Sequence, residues 1–210
     1  MHKLQRSATP VCLADYRHGQ HAWSDVEPEH RQEIWQRLEE MQGRRCAYCE
    51  APIESGKRHI EHFKQRSRYP QDTFDWGNLF GSCNHDKCCG KHKDQCGPYD
   101  SADLIKPDQE DPERFFVFVS DGTIKVRQGL SSQEKHRACE TLRVFNLDAN
   151  GGRLRQMRKA AIAPYLDTAK ALAELAEDCS VEELLPVLEG ELNSIADRPF
   201  VTAIKHTLQP

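Results

Sequence analysis

The chain has 210 residues, of which 38% are hydrophobic and 30% charged. That is enough to build a core in one compact domain, or in a small catalytic module with a second lobe. No run approaches the ~20 apolar residues of a membrane span. The first twenty residues lack the apolar stretch of a secretory signal, so a cytoplasmic location is expected. A net charge of −4 argues against a uniformly basic nucleic-acid binder, yet residues 44–93 carry ten Lys/Arg against six Asp/Glu. Positive potential therefore gathers in one quarter of the chain, where phosphate could sit.

In chain order, an arm of about twenty residues without clear periodicity precedes the first helix. Ser24 and Glu27 form an S-x-x-E capping box with Pro28 in the first turn. Ile34, Leu38 and Met41, with Trp35 beside them, give the apolar face, and Gly43 ends the helix. Residues 46–62 read as a short hairpin turning at Glu54–Lys57. After a polar loop, Asp75–Phe80 leads to a second cysteine cluster and a His/Lys-rich segment that could be a short helix. A second hairpin pairs Phe115–Val119 with Ile124–Arg127 around Asp121-Gly122.

The remaining ~80 residues have helical periodicity. Ser131 with Glu134 and Ser180 with Glu183 are capping boxes, Pro164 should kink or divide a helix, and a short helix may follow Pro199. Residues 160–210 hold three basic and nine acidic residues, a balance suited to packing or to docking a protein and not to gripping phosphate.

Nine cysteines is a high and odd count. In a reducing compartment it points to metal before disulfides. Cys12, Cys139 and Cys179 stand alone and are expected to be buried small side chains. Cys46-x-x-Cys49, followed by Cys83 and then Cys88 or Cys89, offers two ligand pairs for a structural Zn²⁺. Cys89 is favoured because Gly90 permits a tight turn after it. Four thiolates leave no open position, so a catalytic zinc is not expected.

Zinc does not account for His59-Ile60-Glu61-His62, for Asn78, or for His92, Lys93 and Asp94. Phe63, Trp76 and Phe80 near them are expected to be core. Together, CAYC, HIEHF, DWGNLFGSC and CCGKHKD resemble an HNH endonuclease, and more finely the HNH component of Septu-type and retron-associated anti-phage systems. The resemblance is specific over residues 46–94. It implies an α+β fold in which a zinc-stabilised ββα-metal core (44–100) follows an N-terminal arm and helix (1–43). A β-hairpin extension (101–130) and a helical lobe for partner docking (131–210) complete it.

The resemblance also implies roles. His62 would be the general base, and Glu61 with His92 or Asp94 would hold Mg²⁺ or another divalent ion. Asn78 would orient the His62 ring. Lys64, Arg66, Arg68 and Lys93 would clamp phosphate. Adjacent strand residues point to opposite faces, so His59 with Glu61 is the rival pairing. The expected site is an imidazole and carboxylate open to solvent.

The implied function is a phosphodiester hydrolase, the toxic effector of a defence system. It would work with a separate ATPase and possibly a retron reverse transcriptase with its DNA–RNA product. The chain itself lacks a G-x-x-x-x-G-K-[ST] phosphate loop. A ribonuclease acting on host RNA such as tRNA, or a non-catalytic zinc-stabilised scaffold, are the alternatives.

Overall fold

Proline places the start of the first helix. In the computed structural model, which describes residues 1–209, Pro28 is the first residue of α1 (Pro28–Gln42). Its missing N–H would have been unpaired there in any case. Glu27 is therefore the N-cap, and the expected Ser24–Glu27 box is not made. Ser24 lies instead in a 3-10 turn, Trp23–Asp25, where Asp25 accepts the Ala22 amide at 2.7 Å. The helix buries Ile34, Leu38 and Met41, the face read from periodicity, and stops at Gly43 with φ +64°.

The expected hairpin over 46–62 is corrected. Cys46–Cys49 curls into a knuckle: the Glu50 amide donates to the Cys46 carbonyl at 3.0 Å, and Glu50 is left-handed at φ +63°. Two sulfurs three residues apart meet at one point only if the chain curls, and that removes the segment from strand pairing. β1 (Arg58–His62) pairs instead with β2 (Leu79–Cys83), antiparallel, with Ile60 opposite Gly81. Every residue of β2 is buried. Gln42 at the end of α1 exchanges both side-chain amide groups with the Gly81 backbone, at 2.8 and 2.9 Å. A Cβ on Gly81 would lie 2.7 Å from Gln42 Nε2 and 2.9 Å from Trp35, so glycine lets α1 lie close on the strand.

A short helix, α2 (Cys89–Lys93), follows β2. β3 (Phe116–Phe118) and β4 (Ile124–Val126) form the second antiparallel pair as expected, turning at Gly122 with φ +90°. α3 (Ser132–Val144) opens on the Ser131–Glu134 box. Pro164 separates α4 (Arg153–Ile162) from α5 (Leu166–Asp178) through a 3-10 turn. α6 (Val181–Ser194) opens on the Ser180–Glu183 box, and α7 is Val201–Leu208.

The main core joins the N-terminal arm (Met1, Leu4, Leu13) to α1, both strand pairs and α3. The arm, expected to be featureless, is thus tied down by burial. A smaller core of Leu172, Ile195, Ile204 and Leu208 holds α5–α7 together. α7 belongs to both, through Ala203 on one side and Ile204 with Leu208 on the other. Phe63, Trp76, Phe80 and Cys12 are buried, but Cys139 is exposed and Cys179 half-buried, which corrects the expectation for those two. A helix surface needs no apolar residue at either place.

Candidate metal centre and candidate active site

The knuckle, the end of β2 and the start of α2 bring four sulfurs together. Those of Cys46, Cys49, Cys83 and Cys89 all lie within 4.8 Å of one another, none in a disulfide. Cys49 and Cys83 are 4.0 Å apart. A tetrahedral zinc with Zn–S near 2.3 Å spaces its sulfurs about 3.8 Å apart, so the donor set and its dimensions fit that ion. Cys89 is left-handed at φ +57°, the bend that turns its sulfur inward. Cys88 stands outside the quartet, with its sulfur 3.8 Å from Cys83. Cys96, seven residues beyond Cys89, donates to the Lys93 carbonyl at 3.3 Å.

Beside the quartet, the alternation of β1 separates Glu61 from His62. Glu61 shares a face with His59, whose Nε2 is 3.0 Å from Glu61 Oε2. The other carboxylate oxygen lies 2.8 Å from Lys93 Nζ, which also lies 2.6 Å from Asp94 Oδ1. Glu61 is 3% exposed and Lys93 fully buried. Burial works to lower the Lys93 pKa, but the charges of Glu61, Tyr99 and Asp94 outweigh it and raise it above the ordinary lysine value. Gly90 completes this wall, because a Cβ there would fall 2.1 Å from Glu61 Oε2. Asp94 is exposed at its side chain and also accepts from Gln65 Nε2 at 3.1 Å.

His62 lies under the N-terminal segment. Its Nε2 is 3.0 Å from the Thr73 carbonyl, and Trp23 meets the ring edge-on at a centroid distance of 4.5 Å. Burial, then the positive charge of Arg66, pulls its pKa down to about 4, with Lys93 adding to the effect. The imidazole is therefore neutral at pH 7. A carbonyl only accepts, so Nε2 carries the proton and Nδ1 keeps its lone pair. The expectation of an imidazole and carboxylate open to solvent is corrected: both side chains are largely covered, His62 by the Trp23 turn and Glu61 by α2.

The other expected site residues divide. Asn78 makes no bond to His62. Its Oδ1 accepts the Lys64 amide at 2.7 Å, and its Nδ2 donates to the carbonyls of Lys64 and Asp72, both at 3.1 Å. It thus braces the loop whose next carbonyl, Thr73, receives His62. His92 Nδ1 is 2.9 Å from the Val144 carbonyl on α3 and does not join Glu61. Lys64 pairs with Asp72 at 2.9 Å, and Arg68 donates to the Tyr99 carbonyl at 2.7 Å. Arg66 is exposed.

Sequence reading missed Trp23, Gln65, Thr73 and Tyr99. Tyr99 has a buried hydroxyl without a hydrogen-bond partner, and burial lifts its pKa to about 12. Each lies in a loop or turn, where periodicity carries no signal.

No family model matches the chain. Two curated proteins do. Over 142 residues it is 28% identical to a protein of Vibrio cholerae serotype O1 biovar El Tor, named as a candidate HNH endonuclease of retron Vc95; this covers 64% of the chain and 66% of that relative. Over 79 residues it is 33% identical to the Septu protein PtuB of Bacillus thuringiensis, 36% of the chain and 28% of that relative. These relatives support the resemblance to HNH nucleases of anti-phage defence. The match spans just under two thirds of the first relative's length and little over a quarter of the second's. Among the described residues, no helix is long and apolar enough to cross a membrane.

Proposed function

We propose that the chain is a metal-dependent HNH endonuclease that hydrolyses phosphodiester bonds in nucleic acid, acting as the effector of an anti-phage system. One observation carries the reading. The carboxylates of Glu61 and Asp94 converge on a single cation position, now held by the Lys93 ammonium at 2.8 and 2.6 Å, beside a strand pair and helix gathered by four cysteines.

Glu61 and Asp94 are the residues that would hold Mg²⁺ or another divalent cation, and Lys93 stands in for it here. Asp94 is preferred to His92, whose ring is turned to Val144. A hard cation held there would supply charge neutralisation for the scissile phosphate and the leaving oxygen. Lys93, displaced from the carboxylates, would then reach phosphate together with Arg66 and Arg68. His62 takes a water proton at Nδ1, its ring fixed by the Thr73 carbonyl and the loop braced by Asn78. A zinc held by the four cysteines would have no step in the chemistry and would fix the start of α2 against the end of β2.

The relatives' names place them in retron and Septu systems, and the resemblance to such HNH components implies a separate ATPase partner and, in retron versions, a reverse transcriptase with its DNA–RNA product. The test is metal analysis with cleavage assays on DNA and RNA, with and without chelator and partner, comparing wild type with His62→Ala. The variant should keep its zinc and lose cleavage. A His62→Ala protein that cleaves as wild type does would overturn the role given to His62, and a zinc-loaded wild type that cleaves neither DNA nor RNA with its partner present would reduce the chain to a scaffold.

A further inference from the structure

Five thiols crowd the metal centre, but only four fit around one ion. Cys88 is the fifth. Its sulfur is 3.8 Å from Cys83 Sγ, the same spacing that zinc imposes between ligands, yet it lies outside the cluster of mutual neighbours. Like Cys83, which is 9% exposed, Cys88 has a route to solvent, at 5%. It lines a cavity of about 340 Å³ with Cys83, His85 and Arg153, and a second of about 130 Å³ with Asn146 and Arg153. Cys46 and Cys89, by contrast, have no exposed surface. Arg153 lines both cavities.

We propose that Cys88 and Cys83 form a peroxide-sensitive pair whose oxidation releases the structural zinc. The inference rests on the zinc reading and is independent of nuclease activity. In the first step the Cys88 thiolate attacks a peroxide oxygen. The O–O bond breaks, hydroxide leaves, and sulfur becomes sulfenic acid. In the second, the Cys83 thiolate attacks that sulfur, expels hydroxide and closes the disulfide. Two thiolates have lost two electrons, and one peroxide has become two hydroxides, which take two protons to leave as water. The ion keeps three sulfurs of four and exchanges readily. Cys83 ends β2 and Cys89 begins α2, so losing this joint uncouples the helix that carries Lys93 and Asp94 from the strand that carries Glu61.

The experiment treats the purified full chain, of measured zinc content, with hydrogen peroxide. It follows zinc release with a chromogenic chelator and maps disulfides by peptide mass spectrometry, before and after reduction. Wild type should release its one zinc as a single Cys83–Cys88 link forms, and thiol reductant with added Zn²⁺ should restore it. Cys88→Ser should bind zinc to the same content and release it at least about tenfold more slowly under the same peroxide, because the sulfur that peroxide oxidises first is gone. Cys88→Ala serves as a second variant, with circular dichroism and zinc content establishing that either is folded. The proposal is overturned if Cys88→Ser and Cys88→Ala lose zinc as fast as wild type, or if the link joins other cysteines. It is overturned too if Cys88 proceeds to sulfinic acid with zinc retained. A purified chain without zinc would overturn it together with the metal reading, whereas a zinc-loaded but inactive chain that still releases zinc through this link would sink only the nuclease reading.

Discussion

Residues 45–94 and the α5–α7 lobe spend burial in opposite ways. The lobe closes on Leu172, Ile195, Ile204 and Leu208, and leaves Val181, Leu185 and Val187 of α6 exposed. The cysteine-clamped segment buries Glu61, His62, Asn78, Ser82 and Lys93. Apolar side chains alone would have closed this segment with less electrostatic cost, because desolvated charges return little net stability. Buried charge beside a metal-fitting cluster is better explained by chemistry than by folding. The contrast also says what each region depends on: the lobe on contact area, the clamped segment on partners that must all be present.

Removing the proposed zinc should separate the regions most sharply. A structural zinc supplies on the order of 10 kcal/mol to a small site, so chelation or Cys46→Ser should collapse hydrogen-exchange protection across 45–94 and lower Tm by more than any surface change. Lys93→Met comes next, because it strands the Glu61 carboxylate in the wall under Gly90. The expected cost is about 3–5 kcal/mol in denaturant unfolding, mostly recovered by adding Glu61→Gln. Recovery of nothing would mean that the pair is not coupled as the geometry has it.

His62 sets a pH dependence of intermediate size. Its folded pKa, about 4, lies below its ordinary 6.5, so the unfolded chain takes up the proton first. Its contribution is complete above pH 6.5 and is lost as pH falls toward 4, amounting to about 3 kcal/mol at most. His62→Gln should flatten that part of the stability profile; an unchanged profile would show that the ring is not desolvated by the Trp23 turn. At the small end, Leu185→Ser on the exposed face of α6 should shift stability by no more than about 0.5 kcal/mol. A larger loss would mean that the lobe is covered in solution.

The legible parts of this protein were those written in local chemistry. The Ser131–Glu134 and Ser180–Glu183 boxes, the break at Pro164 and the Asp121-Gly122 turn each act within a few residues, and each appears where expected. The capping signal at Ser24 failed for an equally local reason, since Pro28 claimed the first helical position. The first strand pair was misassigned because the partner of β1 lies seventeen residues beyond its end, past a loop with no periodicity, while a nearer candidate at Cys46 carried the stronger signal.

The candidate site follows the same division. Spacing marked out the C-x-x-C and the second cysteine pair as a candidate metal site, and the family resemblance added the acidic and imidazole groups as a candidate catalytic set. Only tertiary structure decided which sulfur joins the quartet and that Lys93 sits between Glu61 and Asp94. It also decided that Asn78 braces a loop and that Trp23 lies against His62. Those outcomes depend on where a side chain points once distant segments have packed. Sequence distance is silent on this, because the free energy that selects one arrangement comes from burial and pairing across the whole core.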